Sequence, residues 1–189
     1  MRHSFIVRRA TCAGLVALVA IAGSSPLLAQ HVPPPSKATM TYASLEIPAS
    51  IRAEHAEIHD GLVAATKAPD PVGAAARDLA AVLDPHFVRE EQIALPPLGL
   101  LAPLARGEFG KEMMAVLPLT DSLRAELPRM LHEHEAIHAA TVRLANVASA
   151  NGNTKVHRLA EQLLLHAQTE EQVFYPAALL VGRLVQQQR

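Results

Sequence analysis

The chain has 189 residues, of which 50% are hydrophobic and only 3% are aromatic. This length and composition predict one compact domain rich in aliphatic side chains. The 17 basic and 18 acidic residues give a formal net charge of −1. This balance argues against the basic surface expected of a protein that binds nucleic acid or an anionic membrane, so small molecules are the expected partners.

Residues 1–29 have the features of a secretory signal peptide. A basic start, MRHSFIVRR, precedes an apolar run over residues 10–23, and Ala29 closes a plausible cleavage site. The apolar run is shorter than the ~20 residues that a membrane-spanning helix needs. We therefore predict a periplasmic or secreted protein with no membrane contact after cleavage, or a membrane-anchored protein if the segment is retained.

Residues 30–46, which include HVPPPSKATMTYA, predict a Pro-rich, extended tether. The only cysteine, Cys12, lies in the predicted signal peptide, so the mature protein would contain no thiol. Any metal would then be bound by His, Asp and Glu side chains.

Residues 47–180 predict a helical domain with no convincing strand pattern. Asp70 is typical of a helix N-cap and Pro71 of a first helical position, whereas Tyr175-Pro176 is typical of a helix end. An apolar connection, which is expected to form short helical pieces, joins the second and third helices. The predicted helices cover roughly residues 48–67, 71–95, 122–150 and 154–174.

An internal repeat relates the two halves of this domain. The motif EHAEIH (54–59) recurs 79 residues later as EHEAIH (133–138). The motif HFVREEQIALPP (86–97) recurs 80 residues later as HAQTEEQVFYP (166–176). These patterns predict an all-α, up-and-down four-helix bundle of two repeated helical hairpins, with a short tail helix and a C-terminal tail over residues 181–189.

The repeated polar residues can lie in one layer of such a bundle. At about 1.5 Å per residue, the first histidine of each motif lies roughly 18 to 24 Å from its hairpin turn. In the second motif of each hairpin, a glutamate follows four residues later on the same helical face. The layer would bring together His55, His86, Glu90, His134, His166 and Glu170.

Four imidazoles and two carboxylates are costly to bury without a cation. Two metal ions would offset this cost, because carboxylates can bridge the ions and imidazoles can fill the outer positions. Nitrogen and oxygen donors without sulfur suit iron, with manganese or zinc as alternatives. Surface ion pairs would explain one HxxxE motif, but not two copies in register with two EHxxIH motifs.

Together the four motifs resemble the hemerythrin-like HHE cation-binding family over roughly residues 46–180. The resemblance implies a four-helix bundle with two iron ions, bridged by an oxo or hydroxo group and by Glu90 and Glu170. Family members bind oxygen reversibly, sense oxygen, iron or redox state, or handle nitric oxide and peroxide. We therefore expect a protein that binds or senses such small molecules outside the cytoplasm, with an unknown redox partner. An enzyme that reduces nitric oxide or decomposes peroxide remains the alternative.

Three further residues are candidates either for binding the metal or for hydrogen bonding to the metal-binding side chains: His59, His138 and Glu171. If neither extra histidine binds, each iron keeps open positions for oxygen or nitric oxide. If His138 alone binds, one iron is filled and the other keeps an open position, as in oxygen carriers. If both bind, the centre is closed and suits electron storage. Repeat symmetry with Glu90 favours Glu170 over Glu171 as the bridging residue.

The segment from His134 to His138 also matches HExxH, the signature of zinc peptidases, with Glu135 as general base. This hypothesis leaves the other repeated histidines without a role. The equivalent of Glu135 in the first repeat is Ala56. A peptidase is therefore the remote alternative.

Overall fold

The computed structural model describes residues 45–188, and all regular secondary structure in this range is helical. The predicted all-helical class, with four main helices, is confirmed. The helices are α1 (Ala49–Thr66), α2 (Pro71–Arg89), α3 (Leu101–Ala105), α4 (Leu117–Ala150), α5 (Thr154–Thr169) and α6 (Tyr175–Gln186).

The predicted signal peptide (1–29), most of the predicted tether (30–46) and Arg189 lie outside the described residues. Within residues 45–188, no helix combines the length and the apolar character needed to cross a membrane.

Capping residues and one glycine define the two short turns of the bundle. The Asp70 carboxylate accepts a hydrogen bond from the amide of Gly73 (3.0 Å), with Pro71 as the first helical residue of α2. Asn153 caps α5 in the same way, by accepting from the amide of Val156 (3.1 Å). Gly152 has a φ of 68°, a left-handed conformation that favours glycine after a helix.

The four long helices pack in a ring in which α1 and α4 each contact both α2 and α5. One apolar cluster fills the end of the ring near the two short turns: Ile58, Leu62, Leu79, Leu83, Ile137, Leu144, Leu159 and Leu163. A second cluster fills the other end: Ile51, Leu95, Leu98, Leu123, Met130 and Tyr175. Along the helices, the repeated histidines lie between these clusters, so apolar side chains shield the polar layer from water on both sides.

Two helix boundaries differ from the predicted ones. The third predicted helix, over roughly residues 122–150, corresponds to α4, which begins at Leu117 and continues through Pro128. Tyr175-Pro176 begins α6 instead of ending a helix, because a proline in the first turn lacks an N–H that would have no partner there. The predicted end of the four-helix domain, at residue 180, lies within α6.

The helices α2 and α5 both pass into a π-helical turn, at Glu90–Ala94 and Glu170–Phe174. In each turn an amide bonds to the carbonyl five residues earlier, as from Leu95 to Glu90 (2.9 Å). Such turns are rare and frequently lie at functional sites. Here they begin at the two glutamates of the repeated HxxxE motifs.

Candidate metal centre

The structure brings the four repeated histidines together as two pairs. His86 on α2 and His134 on α4 have ring centroids 4.6 Å apart. His55 on α1 and His166 on α5 have ring centroids 4.8 Å apart. All four side chains are buried, as the predicted layer requires.

Glu170 lies between the two pairs. Its Oε1 is 2.8 Å from Nε2 of His166 and 3.4 Å from Nε2 of His55, while its Oε2 is 3.6 Å from Nε2 of His134. It therefore belongs to two groups of buried donor atoms that could each hold a metal ion. The groups are His86, Glu90, His134 and Glu170, and His55, His166 and Glu170.

Glu90 has a similar intermediate position. Its Oε1 is 3.3 Å from Nε2 of His86 and 4.0 Å from that of His134, and its Oε2 is 4.0 Å from Nε2 of His55. The hydroxyl of Tyr175 donates a hydrogen bond to Oε1 of Glu90. The same hydroxyl oxygen lies 3.2 Å from Nε2 of His134 and 3.5 Å from Nε2 of His86. Tyr175, which was not among the predicted site residues, thus contacts the polar layer.

Each histidine also has a carboxylate near its outer nitrogen, Nδ1. A histidine that binds metal usually donates its other ring N–H to such a group, which fixes the orientation of the ring. His86 and His134 make hydrogen bonds of this kind, whereas Nδ1 of His166 and Nδ1 of His55 lie near a carboxylate without hydrogen-bond geometry. All four Nε2 atoms are directed into the layer. The Nδ1-to-oxygen distances are 2.9 Å for His86 and Glu133, 2.8 Å for His134 and Glu171, 3.2 Å for His166 and Glu54, and 3.4 Å for His55 and Glu91.

Of these four outer carboxylates, only Glu171 was among the residues predicted for the site, and it contacts a histidine from outside the layer. Glu54, Glu91 and Glu133 were missed. The signal was present in the repeat, because both EHxxIH motifs begin with glutamate and both HxxxE motifs contain a second glutamate.

The two additional histidines lie outside the layer. The side chain of His59 is 52% exposed, with its Nδ1 3.5 Å from Oδ1 of Asp60. His138 is also exposed. Glu135 pairs with His132 on the surface (3.1 Å). The HExxH residues therefore do not converge, because His134 points into the bundle and His138 does not.

Burial and neighbouring side chains shift the pKa values of both central carboxylates. Burial raises the pKa of Glu90, and the charge of Glu170 raises it further, against the opposing effects of His86 and Tyr175. Burial also raises the pKa of Glu170, but contact with His166 and His55 outweighs it and lowers the value overall. Two carboxylates with oxygens within 4.8 Å of each other cannot both ionise at low cost without positive charge nearby.

Positive charge comes from the histidines themselves in the metal-free protein. Burial lowers the pKa of His166, but the contact and charge of Glu170, with Glu54 and Glu90, raise it to about 9. The pKa of His86 is likewise raised, because Glu90 and Glu133 outweigh its burial. Burial and the nearby carboxylates also raise the pKa of Tyr175, so its hydroxyl keeps its proton.

Several donor atoms fit a metal better than they fit each other. Within residues 45–188, Nε2 of His166 and Oε2 of Glu90, which both face the layer, are buried without a hydrogen bond. Nε2 of His166 lies only 2.8 Å from Glu170 without hydrogen-bond geometry. Ligand atoms about 2.1 Å from one octahedral ion would be separated by a similar distance, about 3 Å. The residues therefore fit a metal site with nitrogen and oxygen ligands.

Two cavities border the outer carboxylates. One, of about 330 Å³, is lined by Glu171, Tyr175 and apolar residues of α4 and α6. The other, of about 510 Å³, is lined by Glu54, Ile51 and Phe174. A larger groove of about 1280 Å³ lies between α1 and α5 near the short turns, and none of the residues of the polar layer lines it.

The family model for the hemerythrin HHE cation binding domain matches residues 46–178. No curated protein and no solved structure is similar enough to match the chain.

Proposed function

Because the chain belongs to the hemerythrin HHE cation-binding family, we propose that it is a non-haem di-iron protein. Its function is to bind or sense oxygen, nitric oxide, or iron or redox state, outside the cytoplasm if the predicted signal peptide is used. The main support is the position of Glu170, whose two oxygens face different histidine pairs.

Each half of the layer supplies ligands for one ion. His86 and His134 would hold one ion, and His55 and His166 the other, while Glu90 and Glu170 would bridge them. When bound, an iron pair supplies reversible binding of small ligands and one-electron redox chemistry. Nitrogen and oxygen ligands without sulfur match this choice of metal.

The remaining side chains orient the ligands and exclude water. The outer carboxylates hold the imidazoles, and the apolar clusters on both sides keep the layer dry. His59 and His138 are exposed, so two imidazoles and the shared carboxylates would hold each ion. Open coordination positions would remain, which favours ligand binding over a closed electron-storage centre.

Metal analysis of protein purified from iron-replete cells tests this function. We expect about two irons per chain and the visible absorption bands of an oxo-bridged pair. A colourless protein with one zinc would refute the di-iron proposal. The reduced protein should also change its spectrum on mixing with oxygen or nitric oxide. Catalytic consumption of nitric oxide or peroxide would instead support the enzymatic alternative.

Two histidines on one helix provide a matched pair of variants. His134→Ala removes a buried donor, and we expect the iron content to fall to about one per chain or less. His138→Ala changes an exposed residue four positions later and should retain two irons. Equal loss of metal in both variants would contradict the ligand assignment and revive the HExxH interpretation.

A further inference from the structure

The large groove between α1 and α5 has no part in the proposed metal centre. Its lining residues come from these two helices, from the adjoining turns and from Val72 of α2. The two helices approach closely at mid-length, where a Cβ atom on Gly61 would lie 2.9 Å from Cδ1 of Leu159. This contact forms part of the floor of the groove, which is open to solvent.

The groove has the size of a short helix. Along α5 it extends from Lys155 to Leu165, which corresponds to about 15 Å of helix. A helix about 10 Å across and 15 Å long occupies about 1200 Å³. The groove, at about 1280 Å³, has room for such a helix beside α1 and α5.

The five charged side chains that line the groove are separated by sign along its length. The two basic residues, Lys155 and Arg158, lie about 2–6 Å from the end of α5 at the short turn. The acidic residues Glu57, Asp60 and Glu161 lie about 9–14 Å from the same end of the bundle. All five side chains are exposed, and within residues 45–188 their only ion pairs are contacts with histidines nearby in the chain. Their charges are therefore available to a partner.

A reversed second copy of the chain complements this charge pattern. In a twofold dimer the same surface of each chain meets the other. If the two α5 helices lie antiparallel, the basic end of each groove faces the acidic end of the other. Arg158 of one copy then approaches Glu161 of the other, and the pairing occurs twice.

An exposed leucine on the same surface fits this arrangement. Leu165 lines the groove and is 65% exposed, the largest exposed fraction among the large hydrophobic residues of the described range. It lies at the acidic end, so in the reversed copy it meets the opposite end of the groove. Ala68 and Val72 line that end and offer an apolar surface on which a leucine can be removed from water.

We propose that the groove between α1 and α5 is the interface of a symmetric homodimer. The α5 helix of each copy lies in the groove of the other. Charge pairing fixes the antiparallel direction, and Leu165 of each copy covers the apolar end of the groove.

Sedimentation equilibrium of the purified iron-loaded protein, measured over a range of concentrations, tests the inference. We expect the mass of two chains at high concentration and the mass of one chain after dilution. Leu165→Ser should weaken dimerisation about tenfold or more, because it removes an apolar side chain from the interface. Leu180→Ser is the matched control, since Leu180 is 55% exposed on α6, outside the groove, and its replacement should leave dimerisation unchanged.

Charge reversal provides a second test. Arg158→Glu and Glu161→Arg each place like charges opposite each other, so each should weaken dimerisation about tenfold or more. The double variant exchanges the two charges and should dimerise within about threefold of wild type. Circular dichroism and iron content should match wild type in every variant, because the substituted residues are exposed.

A wild-type protein that remains monomeric at high concentration would overturn the inference. Binding of the dye anilinonaphthalene sulfonate to such a monomer, but not to its Leu165→Ser variant, would identify a small amphipathic molecule as the occupant instead. A dimer that responds equally to Leu165→Ser and Leu180→Ser would also overturn the inference, as would a double variant that dimerises no better than the single ones. None of these outcomes changes the iron content, so they are distinct from a failure of the proposed function.

Discussion

The metal-free protein should lose stability as the pH rises from about 6.5 to about 9. The pKa of buried His166 is raised to about 9. This histidine therefore holds its proton more tightly in the folded chain than an ordinary histidine, whose pKa is 6.5, does. The stabilisation is therefore fully present below pH 6.5 and is lost as the pH rises through about 9. The raised pKa of His86 acts in the same direction.

The magnitude follows from the pKa difference of His166. The difference between 6.5 and about 9 corresponds to roughly 3 kcal/mol, at about 1.4 kcal/mol for each pH unit. Because His166 is only 1% exposed, solvent screens this interaction little. A loss of this size is large beside the ~5–15 kcal/mol of net stability typical of a domain. The lowered pKa of Glu170 acts below pH 4.5, outside this range.

Urea unfolding of chelator-treated protein, followed by circular dichroism between pH 6 and 9, measures this dependence. Glu170→Gln is a suitable comparison, because it removes the carboxylate nearest to Nε2 of His166. The variant should show a much smaller decline in unfolding free energy over the same range. A wild-type free energy that is constant or increases with pH would refute the charge state assigned to the layer.

Metal affinity and core packing can be tested in the same protein. Metal affinity should increase between pH 6.5 and 9, because His166 must lose its proton to bind; a proton release measured on metal addition checks this. Glu133→Gln and Glu171→Gln should each weaken metal binding about 10–100-fold, measured by competition with a coloured chelator, since each carboxylate contacts a histidine Nδ1. Leu163→Ala should lower the free energy of unfolding by about 2–5 kcal/mol without changing the metal stoichiometry, because Leu163 is 98% buried in the apolar cluster nearest the short turns.

Sequence patterns predicted the features that depend on spacing along one helix. A side chain four residues after another lies on the same helical face, so the HxxxE motifs place Glu90 beside His86 and Glu170 beside His166. Capping chemistry is equally local, and Asp70 with Pro71 begins α2 as predicted. The π-helical turns were missed, because a change from four-residue to five-residue hydrogen bonding leaves no clear mark on hydrophobic periodicity.

Contacts between helices were harder to predict. Glu133 lies next to His134 in the chain, but it contacts His86 on another helix. Such pairings depend on how the helices rotate against each other, which spacing does not fix. The exposure of His59 and His138 is a further example, because each follows a buried histidine by four residues. The core position of the next turn is instead taken by the preceding residue, Ile58 or Ile137, which is buried.

The repeat predicts that the two hairpins supply equivalent residues to the polar layer. Positions at which the hairpins differ are therefore more informative than positions at which they match. Positions such as His86 and His166 need the same residue, because each supplies a donor to the layer. A packing position needs only an apolar side chain of suitable size, and Leu95 meets that need. Tyr175 buries a hydroxyl at the equivalent position, which costs free energy unless the hydroxyl has a partner. Its partner is Glu90, a predicted metal ligand. A polar substitution that contacts the metal ligands is better explained by the chemistry of the centre than by packing alone.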